Sequence, residues 1–384
     1  MLIRGRYRSA RSRIFFSFNS REGPRLELGA RSTPRLDSTF YFEGYGAYGT
    51  GDHRVKGNAT GYISLNKIAP YRFPNNYIKL SYLYDVDVPG HTFSVTNRPT
   101  AFSSFQTGKT NYWLYSKTFE LQYVRDFENH FSYNVGYKNW QQTPTAALVY
   151  QHNDDGNLVN SLTTSEVNLH MRYAPHEELI RGSRTRHSIH NPYPVYDVLI
   201  NRSLGGSYTY TDIGINIYKR FYLSQAGFTD VTLLGGYVQG KVPFPLLNIS
   251  PANQSLAYKR DAYNEMNYPE FVSDHYAGLN FTHTFNGFIL NKIPLIKHLK
   301  WREFLSAKIL YGGLRTENDP AQSEGLYRFP PAVYALGNTP YVEAGIGIGN
   351  ILKCLRVDFI RRLTYLDHPG ASTYGIKFSF QPEF

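Results

Sequence analysis

Apolar and polar residues alternate along most of this chain with a period of two. From His53 to Asn66 one parity carries Val55, Gly57, Ala59, Gly61, Ile63 and Leu65. The other carries Arg54, Lys56, Asn58, Thr60, Tyr62, Ser64 and Asn66. Successive side chains of an extended strand point to opposite faces, so this pattern builds one apolar and one polar face. Thr163 to Tyr173 repeats it, with Val167, Leu169, Met171 and Tyr173 set against Glu166, Asn168, His170 and Arg172. So does Phe131 to Tyr137, where Phe131, Tyr133, Val135 and Tyr137 oppose Ser132, Asn134 and Gly136. A soluble sandwich also alternates. These segments, however, run longer than the ~5–6 residues usual for soluble strands, and many end near a tyrosine.

The pattern predicts an all-β fold, a transmembrane antiparallel β-barrel of about sixteen strands, an even number as in bacterial barrels. The strands fall near 12–20, 24–33, 38–50, 53–66, 76–86, 111–126, 129–141, 158–173, 193–201, 206–220, 227–239, 270–286, 300–314, 340–349, 353–366 and 372–380. Gly23-Pro24, Gly51-Asp52 and Glu128-Asn129 mark tight turns. With a periplasmic C-terminus, the long connections 87–110, 142–157, 240–269 and 315–339 fall outside, and 174–192 and 287–299 fall in the periplasm. Ile289 to Leu299 is expected to form a short surface helix.

Composition supports the membrane and excludes the helical route into it. Hydrophobic residues make up 41% of 384 residues, and no apolar run reaches the roughly 18 residues of a spanning helix. Aromatic residues reach 16%, with 33 Tyr and 25 Phe, as expected of a barrel with aromatic girdles. A sheet that spans lipid must close, because an open edge leaves backbone groups unpaired in hydrocarbon. The single Cys354 excludes an internal disulfide and reads as a small strand residue. The net charge of +11 comes from cations scattered over strands and turns, except for Arg4, Arg6, Arg8, Arg11 and Arg13. That points to anionic outer-membrane lipid and a positively biased lumen, with no nucleic acid as partner. The domain reading is a basic N-terminal segment, 1–11, left from a missing upstream region, followed by the barrel, 12–384. Met1 to Arg13 lacks the apolar core of a secretory signal, so the chain is read as a fragment or as starting at an internal Met.

The last strand carries the sharpest motif. Thr373, Gly375, Phe378 and Phe380 place a polar residue, a glycine two positions on, and aromatics three and five beyond it. They form a candidate assembly signal, read by the outer-membrane assembly machinery through main-chain pairing and alternate aromatic side chains. The chain continues past the motif to Phe384.

Several further stretches carry a family resemblance. These are Tyr173-Ala174-Pro175 before Glu178, the run Gly240 to Leu247, Ser273-Asp274-His275-Tyr276-Ala277, Phe285-Asn286-Gly287, Asn291 to Leu295 and Leu299-Lys300-Trp301-Arg302-Glu303. Leu355-Arg356-Val357-Asp358 and Arg361 to Asp367 complete the set. The chain resembles the Bacteroidetes outer-membrane proteins of unknown function that join a carboxypeptidase-regulatory-like domain to a barrel. That barrel is in turn similar to the bacterial surface antigen, or outer-membrane assembly-factor, superfamily. The resemblance implies a bacterial outer-membrane location, a role in membrane biogenesis and protein clients. It also makes 240–269, with Pro243, Pro245, Tyr258 and Arg260, a candidate for folding into the lumen. The family's soluble N-terminal domain is absent here. The superfamily's Val-Arg-Gly-Phe/Tyr motif is missing from 240–269; Val124-Arg125-Asp126-Phe127 is similar but stands elsewhere, at a turn.

Catalytic signatures are absent: the chain has neither a Gly-x-Ser-x-Gly elbow nor a His-Glu-x-x-His helix. Gly345, Gly347 and Gly349 alternate with Ile346 and Ile348 as close-packed strand, not as a phosphate loop. Asp85, Asp87 and His91, and Asp154-Asp155-Gly156, are read as solvated turns in preference to metal sites. No cofactor, metal ligand or catalytic residue is assigned. Inward-facing candidates to line a lumen are Arg25, Glu27, Arg31, Lys56, Glu120, Arg172, Asp212 and Arg220. The leading functional expectation is a non-enzymatic barrel in outer-membrane biogenesis, protein export or translocation. A passive or substrate-specific channel is the alternative, and a barrel-embedded lipid hydrolase the weaker one.

Overall fold

The computed structural model describes residues 10–33, 36–70, 72–89, 112–181, 186–189 and 192–380. Its main feature is one sixteen-stranded sheet whose order follows the chain from first strand to last. The strands are β1 (Ala10–Asn19), β2 (Gly23–Ser32), β3 (Phe40–Gly49), β4 (Val55–Ser64), β5 (Asn76–Asp87), β6 (Tyr112–Asp126), β7 (Phe131–Ala146) and β8 (Leu162–Tyr173). They continue as β9 (Val195–Ser203), β10 (Thr211–Tyr222), β11 (Phe228–Gln239), β12 (His275–Thr284), β13 (Arg302–Gly313), β14 (Tyr341–Ile351), β15 (Leu355–Arg362) and β16 (Tyr374–Phe380). Each of the sixteen expected strands coincides with one of these. The architecture is a transmembrane antiparallel β-barrel, although among the described residues no pairing of β1 with β16 closes the sheet on itself. No helix among the described residues is long and apolar enough to cross a membrane.

The chain divides into two compact units, one built from Met1–Asp87, Trp113–Tyr150 and Leu158–Ile213, the other from Val88–Tyr112, Gln151–Asn157 and Gly214–Phe384. In the first unit, Phe16, Phe18, Leu26, Leu28, Phe42, Leu80, Tyr82, Phe119 and Leu121 are exposed. Arg25, Lys56, Thr60, Ser81, Glu166 and Asn168, on the opposite parity, are buried. The second unit repeats this inversion. Leu305, Ile309, Ile346, Ile348, Phe359 and Ile376 are exposed, while Ser306, Lys308, Glu343, Arg356, Asp358, Arg362 and Lys377 are buried. A sheet that buries its charges and exposes its aliphatic residues is built for a hydrocarbon surround and a polar interior.

The connections differ from the expectation in two details. The 174–192 connection contains a hairpin, Glu178–Arg181 with Arg186–Ile189. The expected surface helix near 289–299 is instead two 3-10 turns, Leu290–Lys292 and Ile296–Leu299, separated by Pro294, which has no N–H to continue a helix. The inward faces of Gly345, Gly347 and Gly349 are packed: a Cβ on Gly347 would overlap the Asp358 carboxylate across the β14–β15 pair. Arg4, Arg6, Arg8, His91 and most of the 87–110 connection lie outside the described residues.

Candidate functional site

The segment between β11 and β12 packs on the polar face of β13–β16. It leaves β11 at Gly240, which holds φ +108, and Val242-Pro243 leads into a buried 3-10 turn, Phe244–Leu246. Asn248–Ile249 then pairs with Phe271–Ser273, and Phe271–Ser273 pairs in parallel with Tyr334–Ala335 from the β13–β14 connection. Val242, Phe244, Met266 and Phe271 are buried, so the segment has a small core of its own. Asn264 shapes its tip. Its Oδ1 accepts from Asn253 Nδ2 at 2.7 Å and from the Lys259 N–H at 2.9 Å, and its Nδ2 donates to Lys259 O at 2.9 Å.

Wall charges hold this segment by its backbone. Glu343 of β14 accepts the N–H groups of Asn264 and Glu265 at 2.9 and 3.0 Å, one on each oxygen. Lys308 of β13 donates to Lys259 O at 2.9 Å and to Ala262 O. Lys377 of β16 donates to Ser255 O at 3.1 Å and Asn253 O at 3.4 Å, and lies 3.5 Å from Glu265 Oε1. Arg362 of β15 grips Glu270 through two bonds of 2.9 and 2.6 Å, and His368 Nδ1 meets Glu270 Oε1 at 2.8 Å. Arg356 is paired with Asp358 and lies over the Tyr258 ring at 4.8 Å. Buried charges are stable only when paired and hydrogen-bonded, and here the segment supplies many of the partners.

The same segment occupies backbone on β16 that β15 leaves free. Phe378 donates its N–H to Leu256 O at 2.7 Å and accepts from the Tyr258 N–H at 2.8 Å, a parallel bridge centred on Ala257. Terminal strands present a row of unpaired groups that templates the addition of another strand. Here three residues of the chain's own segment fill part of that row.

Burial pushes the Glu265 carboxyl up from the usual carboxylate range, against the opposing pull of Lys377. Burial also pushes the Lys259 ammonium down, and Lys377 adds to that shift. Asp274, at the end of the segment, behaves oppositely. Burial raises its carboxyl, but Asn318, the Arg315 N–H, His275 and the Arg315 charge together hold it below the usual range. Asp274 Oδ2 accepts from Arg315 N at 3.0 Å, Arg315 Nε at 2.9 Å and Asn318 Nδ2 at 2.8 Å, and Oδ1 meets His275 Nδ1 at 2.7 Å. Asn318 Oδ1 in turn accepts the Val242 N–H at 2.8 Å, tying the start of the segment to its end.

The residues singled out from the sequence fall into two groups. Those expected to line a lumen are ion-paired on the polar parity, except Asp212, whose carboxylate accepts from Asn201 Nδ2 at 3.1 Å. Arg25 meets Asp85 at 2.6 Å, Lys56 meets Glu22 at 2.5 Å and Asp52 at 2.6 Å, and Arg31 meets Glu43. Glu120 meets Lys79 at 2.9 Å, Arg172 meets Glu177 at 2.6 Å, and Arg220 meets Asp230 at 2.7 Å. In the signal motif, Phe378 and Phe380 share the parity of exposed Ile376, whereas Gly375 faces inward, where a Cβ would overlap the Glu265 carboxylate. Thr373 O accepts the Arg362 N–H at 2.9 Å. Asp85 also accepts from Tyr45 at 2.5 Å. Asp154 Oδ2 accepts the Gly325 N–H at 2.6 Å, and Asp155 Oδ1 accepts that of Asn157 at 2.9 Å, so both fasten loops. Arg362, Asp274, Asp358 and Glu303 stood among the residues that carried the family resemblance, but their contact with other segments was not foreseen. Lys308, Glu343 and Glu270 were missed altogether; their signal was a charge on the polar parity of a strand, or within the long segment.

A family model described as "Family of unknown function (DUF5686) C-terminal domain" matches residues 6–317. No curated protein matches this chain. Among solved structures, it is similar to BamA from Haemophilus ducreyi lacking POTRA domains 1–3. The TM-score is 0.57 at 10% identity, over 97% of this chain and 70% of that one. CdiB from Acinetobacter baumannii gives a TM-score of 0.45 at 12% identity, over 97% of this chain and 59% of that one.

Proposed function

This chain belongs to the family of unknown function DUF5686, by its C-terminal domain, and from that premise we propose a non-enzymatic barrel of the bacterial outer membrane that serves membrane biogenesis, protein export or translocation. The observation that carries this reading is the self-occupied polar face of β13–β16. Lys308, Glu343, Arg362 and Lys377 all bind the chain's own 240–274 segment. A passive channel needs charged wall residues open to solvent and to the passing solute. These four are spent on holding a plug. Leu256 and Tyr258 further occupy the β16 backbone at Phe378, the kind of edge that accepts an extended strand from another chain. The likeness to the Haemophilus ducreyi BamA supports the architecture alone. Clients and the assembly machinery are the proposed partners, with outer-membrane lipid as the solvent. The lumen-lining role of Arg25, Arg31, Lys56, Glu120, Arg172 and Arg220 belongs to this proposal, as fixed charges that hydrate and fill the interior.

The test is depletion of the protein in its own cells, followed by quantification of other barrel proteins and exported surface proteins in the outer membrane. The expected outcome is a fall in one or more of them, with uptake of small solutes unchanged. Unchanged protein levels with reduced solute uptake would favour the channel instead.

A further inference from the structure

The connection from β12 to β13 runs from Phe285 to Trp301 without one acidic residue and carries Lys292, Lys297, His298 and Lys300. It is pinned at both ends. Glu303 of β13 accepts the Gly287 N–H at 3.1 Å and also that of Leu290, and Asn350 donates to Lys300 O at 2.8 Å. Between those pins the segment turns its apolar side chains away from the protein: Phe288, Ile289, Ile293, Leu295 and Leu299 are all exposed, Leu295 by 86%. Its lysines are exposed as well, and Lys292 Nζ sits 4.1 Å over the Phe288 ring. The neighbouring β14–β15 turn adds Leu352, 85% exposed, and the exposed Lys353.

Position decides what covers these residues. Within this unit the connection lies at the end of the sheet where β16 finishes, together with the short β10–β11 and β14–β15 turns. Short turns mark the periplasmic end of a bacterial barrel. The exposed apolar parity of β13 and β14, with Leu305, Ile309, Ile346 and Ile348, leads directly into it. Apolar side chains that continue a lipid-facing band, interleaved with cations and free of acids, suit the boundary between acyl chains and anionic headgroups. We propose that residues 286–300, with Leu352 and Lys353, form a membrane-surface site for anionic phospholipid of the periplasmic leaflet. The leucines and isoleucines enter the acyl boundary while Lys292, Lys297, Lys300 and Lys353 reach the phosphates. The proposal rests on the transmembrane reading of the barrel and is independent of its role in biogenesis.

The test places an environment-sensitive fluorophore on Leu295→Cys, and separately on Leu352→Cys, in a Cys354→Ser background. The full chain is refolded into vesicles of phosphatidylcholine alone or mixed with phosphatidylglycerol. Heat-modifiable gel migration reports barrel formation; a chain that never inserts would fail the transmembrane reading rather than this site. The expected result is a blue-shifted label shielded from aqueous iodide, more strongly with phosphatidylglycerol. Lys→Gln substitution at 292, 297 and 300 should weaken that lipid preference by about fivefold per lysine. A label at either position that is quenched by iodide as fully as one on Asp155→Cys, in both lipids, would overturn the proposal and leave the patch to a protein partner.

Discussion

Arg362 on β15 and Glu270 in the packed segment form a bidentate pair, with bonds of 2.9 and 2.6 Å, both side chains shut off from solvent. The two lie 92 positions apart in sequence. Their pairing fastens the segment to the wall at the end opposite to Gly240, and the other wall charges act between those two points. Removing one partner strands the other charge in the interior. Arg362→Leu should therefore destabilise the native state by about 3–5 kcal/mol, read as a fall in urea midpoint and faster cleavage of the segment by protease. Arg362→Lys should recover little, because an ammonium cannot reproduce the two-pronged geometry. Full stability in Arg362→Leu would remove the segment's main anchor from the account.

A Cβ on Gly375 would overlap the buried Glu265 carboxylate, so a side chain there forces Glu265 to move. Gly375→Ala alone should cost about 1–3 kcal/mol, as overpacking usually does. Combined with Glu265→Ser it should cost less than the sum, a coupling that a double-mutant cycle of urea midpoints would expose. Additive costs would mean that Gly375 serves assembly alone.

Glu265 also gives the segment a pH dependence. Its carboxyl is raised by burial, so the native state holds the proton more tightly than the unfolded chain does. That contribution is whole below the ordinary value of 4.5 and is lost as the pH climbs through the raised one. The wild-type urea midpoint should thus fall relative to Glu265→Gln as the pH rises above the ordinary 4.5. Asp274 works in the other direction. Its carboxyl is lowered, so its contribution is present above the ordinary 3.8 and is lost as acid drives the pH down through the lowered value. Asp274→Asn should flatten the acid limb of the same profile.

Ile346 is exposed by 62% on the lipid-facing parity of β14. Ile346→Arg should lower stability in a bilayer by about 2–4 kcal/mol if the site is near the midplane, measured by refolding titrations into vesicles. Phe380→Asp, in the terminal motif, should reduce the outer-membrane level of the protein in cells. Normal levels would sink the assembly-signal reading.

Strands were legible because lipid on one side and a polar interior on the other impose a period of two on every segment from β1 to β16. The same parity placed Arg25, Lys56 and Arg220 on the polar face. It could not name their partners, because a partner such as Asp85 reaches Arg25 from 60 positions away through tertiary placement. The packed segment was legible only as a long, proline-containing connection and through a family resemblance. Its bonds run mostly from wall side chains to backbone groups, such as Lys377 to Ser255 O, and a backbone carbonyl leaves no mark in a sequence. The glycine in the terminal motif was visible, whereas its packing reason, a carboxylate 110 positions upstream, was not.

The proposal that its own segment keeps this barrel shut is tested most directly by single-channel conductance of the refolded chain in a planar bilayer. The wild type should be mostly closed, with rare irregular openings. Tyr258→Pro, which removes the N–H that bonds Phe378 O, should open more often. Ala257→Cys with Phe378→Cys, in the Cys354→Ser background, should fall silent on oxidation and recover with reductant. A large, steady, ohmic step in the wild type, indifferent to these substitutions, would contradict the plugged barrel and make the protein a channel.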